Sequence, residues 1–332
     1  MSVTINAPAA APEFLSAAGW GDAAVSWLAG DASFRRYFRA KRGADRAVLM
    51  DAPPPHEDPR PFIAVAEYLR SIGLSAPRIL HRDLERGMLL IEDFGDIRMR
   101  ETVDADLLGE MGVYEGVVDV LIELHRHAPP ASLKPQSVTA FLDEVGLFPQ
   151  WYCQAVGLDV DEASYRLAWE AVLSPVMAAL DRPVTVLRDY HAENIMLITG
   201  SEGLARFGLL DFQDALSGHP AYDLVSMLED ARRDVTPSVE AAMLARYMAA
   251  TDRGADFESA YWALGAQRNT RILGLFQRLW KRDNKPGYRR FQPRMWGLLE
   301  RDLSHLALAP VKAWFDANVP LEKRAPFWAE FA

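Results

Sequence analysis

The chain is predicted to be an α+β protein of two lobes, a small antiparallel-sheet lobe over residues 1–95 and a larger, mainly helical lobe over residues 96–332. Three observations predict it. Short apolar runs separated by Gly, Pro and Asp turns fill much of the chain before residue 95, as half-buried strands do. From about residue 104, apolar positions recur at helical spacing almost throughout. Within that helical region, short apolar runs at 184–187, 195–198 and 207–210 bracket polar loops.

Length and composition set the outer bounds. At 332 residues, half of them apolar and a quarter charged, the chain suits a soluble protein with two substantial cores. Its net charge of −10 argues against a nucleic-acid binder or a membrane-surface protein, both of which need a basic field. Cys153 is the only cysteine, which excludes an intrachain disulfide and a cysteine-rich zinc site and fits a reducing cytoplasm. Residues 1–12 hold no basic residue and no long apolar stretch, so they are expected to form a loose arm and not a signal peptide. No apolar run is long enough to span a bilayer, there is no internal repeat, and nothing points to an obligate protein partner.

The N-terminal elements follow in order. Over residues 13–29, Phe14, Leu15, Ala18, Val25, Trp27 and Leu28 stand at helical spacing, interrupted by Gly19 and Gly21. The small residues from Ala29 to Ser33 read as a turn between two strands, the second alternating Phe34, Arg36 and Phe38, and residues 46–51 read as a third strand. Such a turn lets backbone N–H groups approach an anion with no Cβ in the way, so Gly30 and the Ser33 hydroxyl are candidate phosphate contacts; an ordinary hairpin turn has the same composition. Arg35 and Arg36 are either exposed strand residues or, one of them, turned toward a nucleotide.

Residues 52–61 are a proline-rich connector, and residues 61–72 a helix carrying Phe62, Val65, Leu69 and Ile72, with Pro61 in its first turn and Gly73 at its end. Residues 78–80 and 88–94 read as a hairpin ending in Glu92, Asp93, Phe94 and Gly95, where the lobe boundary is placed.

The helical lobe begins with an amphipathic series over 105–127 that includes His125, read as a packed histidine and not a ligand, with Pro129 and Pro130 stopping the helix. A second series covers 161–181, and 239–252, 257–280 and 294–316 form a tail rich in Trp and Leu. Asp223 is read as opening a helix, where it either caps the N-terminus or supports the loop that carries Asp189.

The chemistry concentrates at 184–214. The loop between the first two apolar runs carries Arg188, Asp189, His191 and Asn194, and the third run delivers Asp211. Phosphoryl transfer is mostly positioning plus neutralisation of spreading negative charge. An Asp that accepts the acceptor hydroxyl's proton, with an Asn and a second Asp holding Mg²⁺ against nucleotide phosphates, is how kinases arrange it. Asp189 would be the base, and Asn194 and Asp211 the metal ligands. Either residue alone could simply cap a turn; all three between strand-like runs favour the kinase arrangement.

Taken together these residues resemble the aminoglycoside phosphotransferase and choline kinase family, a branch of the protein-kinase-like fold marked by a His-Gly-Asp-x-His-x-x-Asn loop. Here that loop is Leu187, Arg188, Asp189, Tyr190, His191, Ala192, Glu193 and Asn194. The resemblance implies a catalytic Asp189, metal-binding Asn194 and Asp211, and structural support from His191 and Asp223.

Residues 30–39, 48–53, 91–95 and 187–194 are more closely similar to the anomeric sugar kinase subfamily, whose members phosphorylate the C1 hydroxyl of N-acetylmuramate and N-acetylglucosamine in peptidoglycan recycling. That implies ATP, Mg²⁺ and a cytoplasmic amino sugar, with Glu92 and Phe94 at the segment facing adenine.

There are two departures. Met50 stands where kinases place a strand lysine, and Phe62 or Ala64 where they place its glutamate partner, so Arg35, Arg36 or Lys41 must substitute or nucleotide binding is weaker. Leu187 replaces the first His of the loop. N-acetylmuramate carries a carboxylate, which a bidentate Arg suits; Arg289, Arg290 and Arg294, in a basic and aromatic stretch, are the candidate selectors, against the alternative of a solvated basic loop. Another small-molecule hydroxyl, or nucleotide binding without catalysis, remains open at this point.

Overall fold

The computed structural model describes residues 6–30 and 34–324. The first elements in chain order are α1 (Ala11–Ala17), β1 (Ala24–Gly30), β2 (Arg36–Arg42), β3 (Asp45–Asp51), α2 (Arg60–Ser71), β4 (Ile79–Asp83) and β5 (Met88–Glu92). Then come α3 (Met99–Ala105), α4 (Glu110–Arg126), α5 (Val138–Val145), a π-helical turn (Phe148–Cys153) and α6 (Glu162–Ala178). Next are β6 (Val184–Val186), β7 (Ile195–Leu197), β8 (Phe207–Leu209), β9 (Leu216–Gly218) and α7 (Ala221–Leu228). Four helices complete the described chain: α8 (Pro237–Thr251), α9 (Ala255–Lys281), α10 (Gln292–Asp302) and α11 (Ala309–Asn318). These elements fall into two compact units, the described parts of Met1–Leu107 with Glu193–Asp214, and of Leu108–Ala192 with Ala215–Ala332.

In the first unit a five-stranded antiparallel sheet runs in the order β1-β2-β3-β5-β4. Alternate residues Phe38, Ala40, Ala47, Leu49, Met88 and Leu90 form one core with Ala11, Phe14 and Leu15 of α1. Val48 and Met50, which point the other way, are buried too, so β3 is covered on both faces. The helical spacing read over 13–29 holds only as far as Ala17. Gly19 takes φ +75°, a left-handed conformation that ends the helix, and the next apolar residues pair with β2 as strand β1. Strands β7 and β8 form a separate antiparallel pair in this unit.

The second unit is organised on α9, a 27-residue helix in which even Gln267, Arg268, Asn269 and Thr270 are buried. It packs against α5, α6, α7, α10 and the π-helical turn. Gly274 permits that last contact, since a Cβ there would lie 2.3 Å from the Leu147 carbonyl carbon. Phe148, Tyr152, Trp296 and Phe315 make an aromatic core beside it. Cys153, the last residue of the turn, is buried, and burial pushes its thiol up to about 12.

His125 is also packed inside, its Nδ1 2.6 Å from the Tyr247 hydroxyl, and burial lowers it to about 3. One predicted helix starts late and one is broken. The 105–127 series turns helical only at Glu110, where α4 begins, and 294–316 divides at 303–308 between α10 and α11. Apolar periodicity persists across a short break, which is why spacing alone merges such pairs.

Candidate active site

Strand β6, paired antiparallel with β9, leads the chain into the loop that carries Asp189. Val184, Val186 and Leu187 are buried, so the loop leaves a fixed anchor. Arg188 then takes φ +71°, a conformation a non-glycine residue holds only when its surroundings impose it. Those surroundings are explicit. Asp223 accepts the Leu187 N–H at 2.6 Å and the Arg188 N–H at 2.8 Å, one on each carboxylate oxygen. The Ser226 hydroxyl donates to the Arg188 carbonyl at 3.2 Å, and the Arg188 guanidinium reaches Glu144 at 2.7 Å.

The reading of Asp223 as the N-terminal cap of its helix is corrected by the structure. Pro220 holds the cap position of α7, and Asp223 lies inside the first turn with its carboxylate turned to the loop. Burial, with Asp189 nearby, pushes Asp223 up to about 7, while the two N–H donors pull it down.

The rest of the loop is held as firmly. The Tyr190 hydroxyl donates to the Val117 carbonyl at 2.7 Å, and the Ala192 N–H donates to Asp230 at 3.2 Å. His191 is buried with Nε2 3.3 Å from the Arg232 guanidinium, and burial with Arg232 lowers it to about 3, so it stands neutral and accepts. Asp189 itself remains partly exposed. From α9, Arg268 and Arg271 both feel its charge.

The first unit holds the oxygen donors. The 3₁₀ turn Ala192–Asn194 carries the chain from one unit into the other. The Leu210 N–H donates to the Asn194 carbonyl at 3.0 Å, tying the end of the β7–β8 pair, and Asp211 follows at φ +58°. Asn194 Nδ2 lies 3.4 Å from one Asp211 carboxylate oxygen; the other accepts Gln213 Nε2 at 2.9 Å and faces Arg35 Nη2 at 3.4 Å. An amide oxygen and a carboxylate side by side are hard donors of the kind Mg²⁺ takes, with phosphate and water completing its shell.

The predicted nucleotide residues are distributed as follows. Gly30 ends β1, in register with Arg36, and Ser33 lies outside the described residues. Arg35 is buried against Asp211, whereas Arg36 is engaged by Asp51 at 2.5 Å. The Glu92 N–H donates to the Arg78 carbonyl at 2.9 Å, and its carboxylate pairs with Arg78 at 3.1 Å. The Phe94 ring lies so close to Gly208 that a Cβ there would be 2.5 Å away. Met50 is fully buried, and Phe62 stacks on Phe212 at 4.9 Å. Apolar packing thus occupies the position aligned with the strand lysine and, of the two aligned with its glutamate, that of Phe62; Ala64 is exposed.

The predicted acceptor selectors lie apart from one another in their bonding. Arg294 is bound by Asp234 at 2.5 Å and the Ala231 carbonyl at 3.1 Å; Arg289 stacks over Trp280 and Arg290 over Phe291. Sequence reasoning missed Arg268, Arg271, Asp230, Arg232 and Glu144. A signal existed for the first two: residues 267–271 are an unbroken polar run in the middle of a helix, which no solvent-facing stripe explains.

Comparison with known proteins matches residues 25–262 to the phosphotransferase enzyme family. A curated relative from Caulobacter vibrioides, named N-acetylmuramate/N-acetylglucosamine kinase, is 39% identical over 98% of this chain and 100% of its own. One of the same name from Pseudomonas aeruginosa is 36% identical over 87% of each. Among solved structures, the streptomycin-ATP-APH(2'')-IIa ternary complex shares the fold at a TM-score of 0.60 and 15% identity, covering 91% of this chain and 98% of that one.

Proposed function

The chain belongs to the phosphotransferase enzyme family, and on that premise we propose that it is an ATP-dependent kinase of the C1 hydroxyl of N-acetylmuramate and N-acetylglucosamine, acting in peptidoglycan recycling in the cytoplasm. The observation that carries it is the clamped loop, in which Asp223 fixes Leu187 and Arg188 and leaves Asp189 partly exposed among guanidinium groups. Relatives with the named sugars as substrates, matched over most of both chains, support the acceptor.

In the proposed reaction Asp189 takes the proton of the C1 hydroxyl as that oxygen bonds to the γ-phosphorus. The bond from the γ-phosphorus to the bridging oxygen breaks and ADP leaves. Asn194 and Asp211 would hold Mg²⁺, which supplies charge neutralisation at the phosphates. His191, neutral and buried, keeps the loop in shape. The proposed two-lobe division assigns nucleotide to residues 1–95 and acceptor to residues 96–332, with Gly30, Ser33, Glu92 and Phe94 on the nucleotide side.

The test is ³¹P NMR of the product formed from each sugar with MgATP: an anomeric phosphate supports the proposal, a 6-phosphate relocates the acceptor hydroxyl, and no Mg²⁺-dependent ADP release with either sugar rejects it. The buried Met50 and the Phe62–Phe212 stack favour one competing reading, nucleotide binding without transfer, which the same ADP assay decides.

Arg35 is proposed to take over from the absent strand lysine, since it is the cation held against Asp211. Arg35→Ala is expected to raise KM for ATP about tenfold or more, the value of one charge-assisted contact, with a smaller change for the sugar. Steady-state kinetics with each substrate varied checks this; an unaltered KM for ATP removes Arg35 from the nucleotide site.

A further inference from the structure

Helix α9 carries Arg268, Arg271 and Arg278 at spacings that put them along one face, with Arg271 and Arg278 about 10 Å apart on the axis. Arg268 and Arg271 feel Asp189, and Arg268 also Asp230, but the ion-pair partner of Arg271 is shared. One Glu144 oxygen serves both Arg188, at 2.7 Å, and Arg271, at 3.8 Å, while Gln267 donates to the other oxygen at 3.1 Å. Arg278 makes no ion pair or side-chain hydrogen bond among the described residues, and its Nε is buried with no acceptor. It stands in the repulsive field of Arg271 and Arg282, offset only by Asp283.

A guanidinium N–H shut away from water without an acceptor is a group the protein leaves for something else to satisfy. Arg278 has only Asp283 to offset the cations around it, and Arg271 shares its Glu144 partner with Arg188, so the stripe keeps an attraction for an anion. The stripe begins beside the base, since Arg271 shares Glu144 with the residue that precedes Asp189.

We propose that Arg271, with Arg278 beyond it, forms the anion-recognising end of the acceptor subsite and reads the carboxylate of an acidic amino sugar. The inference rests on the sugar-kinase function proposed above. Arg is the side chain suited to the task, because its planar fork donates two parallel bonds to a carboxylate and stays charged. Positioned along α9 from Asp189, the pair lets a sugar place its reacting hydroxyl at the base and its acid group further along the helix. The neutral sugar, lacking that group, gains nothing from either arginine.

The experiment compares kcat/KM for N-acetylmuramate and N-acetylglucosamine in the wild type, Arg271→Gln, Arg271→Lys and Arg278→Gln at saturating MgATP. The ratio of acidic to neutral sugar is expected to fall at least tenfold in both Gln variants, through KM for N-acetylmuramate, and to recover in part in Arg271→Lys. An unchanged ratio overturns the inference, whether both sugars decline together or neither does. So does a raised KM for ATP with the ratio kept, which would assign the arginines to nucleotide phosphates. Arg278→Gln breaks no ion pair, so the inference stays testable if Arg271→Gln fails to fold. A wild-type protein that turns over neither sugar rejects the sugar-kinase proposal itself, before any variant is made.

Discussion

Asp189→Asn is expected to lower sugar-phosphate formation by a factor on the order of a thousand, within the range a positioned general base contributes. The substitution keeps the side chain's size and removes its ability to take a proton. Its neighbours should hold, because Leu187, Arg188, Tyr190 and Ala192 are fixed by Asp223, Val117 and Asp230. The loss should therefore fall on kcat, with KM for ATP nearly constant and the thermal midpoint close to wild type. Rapid-quench measurement of the transfer step distinguishes this from slow product release. Turnover within tenfold of wild type would remove Asp189 from the role of base.

Asp223→Asn is expected to damage both stability and activity. The carboxylate accepts two backbone N–H groups, one per oxygen, and it is completely buried. An asparagine offers one acceptor and sets an NH₂ group against the second donor, so one buried N–H loses its partner. That costs roughly 1–3 kcal/mol, and more where the lost bond was to a charge. It also weakens the restraint that holds Arg188 at φ +71°, so Asp189 loses its aim. Thermal denaturation should show a lower midpoint, and kcat should fall in molecules still folded at the assay temperature. A variant with wild-type melting and turnover would mean the clamp has no part in catalysis.

How much of this was legible follows from the distance over which each interaction acts. The loop from Arg188 to Asn194 and the strand ending at Asp211 could be read because apolar run, polar loop and apolar run are local patterns. The sheet of the first unit was readable for the same reason, apart from β1, whose pairing with β2 overrode helical spacing. The approach of Arg35 to Asp211 joins residues from opposite ends of the first unit's sequence, and no local pattern encodes it. The turn of Asp223 toward Leu187 is equally non-local, so local pattern leaves helix cap and loop support side by side for that residue. Arg271 and Arg278 were hidden differently. In sequence a charged residue on a helix looks like solvent-facing surface; what marks these two is the Glu144 oxygen that Arg271 shares with Arg188 and the buried Arg278 Nε without an acceptor. The stretch around Arg289 stands out by its aromatic and basic composition; in the structure Arg294 pairs with Asp234, while Arg289 and Arg290 stack on Trp280 and Phe291.

Cys153 has a practical consequence. Its sulfur is enclosed and its thiol is pushed up to about 12, so at neutral pH almost none of it is in the reactive thiolate form. The native chain is accordingly close to silent toward maleimide and iodoacetamide reagents. A cysteine introduced at an open position such as Leu108, 98% exposed, would take up a fluorophore or spin label by itself, giving site-specific spectroscopic readout without first stripping the protein of its own sulfhydryl.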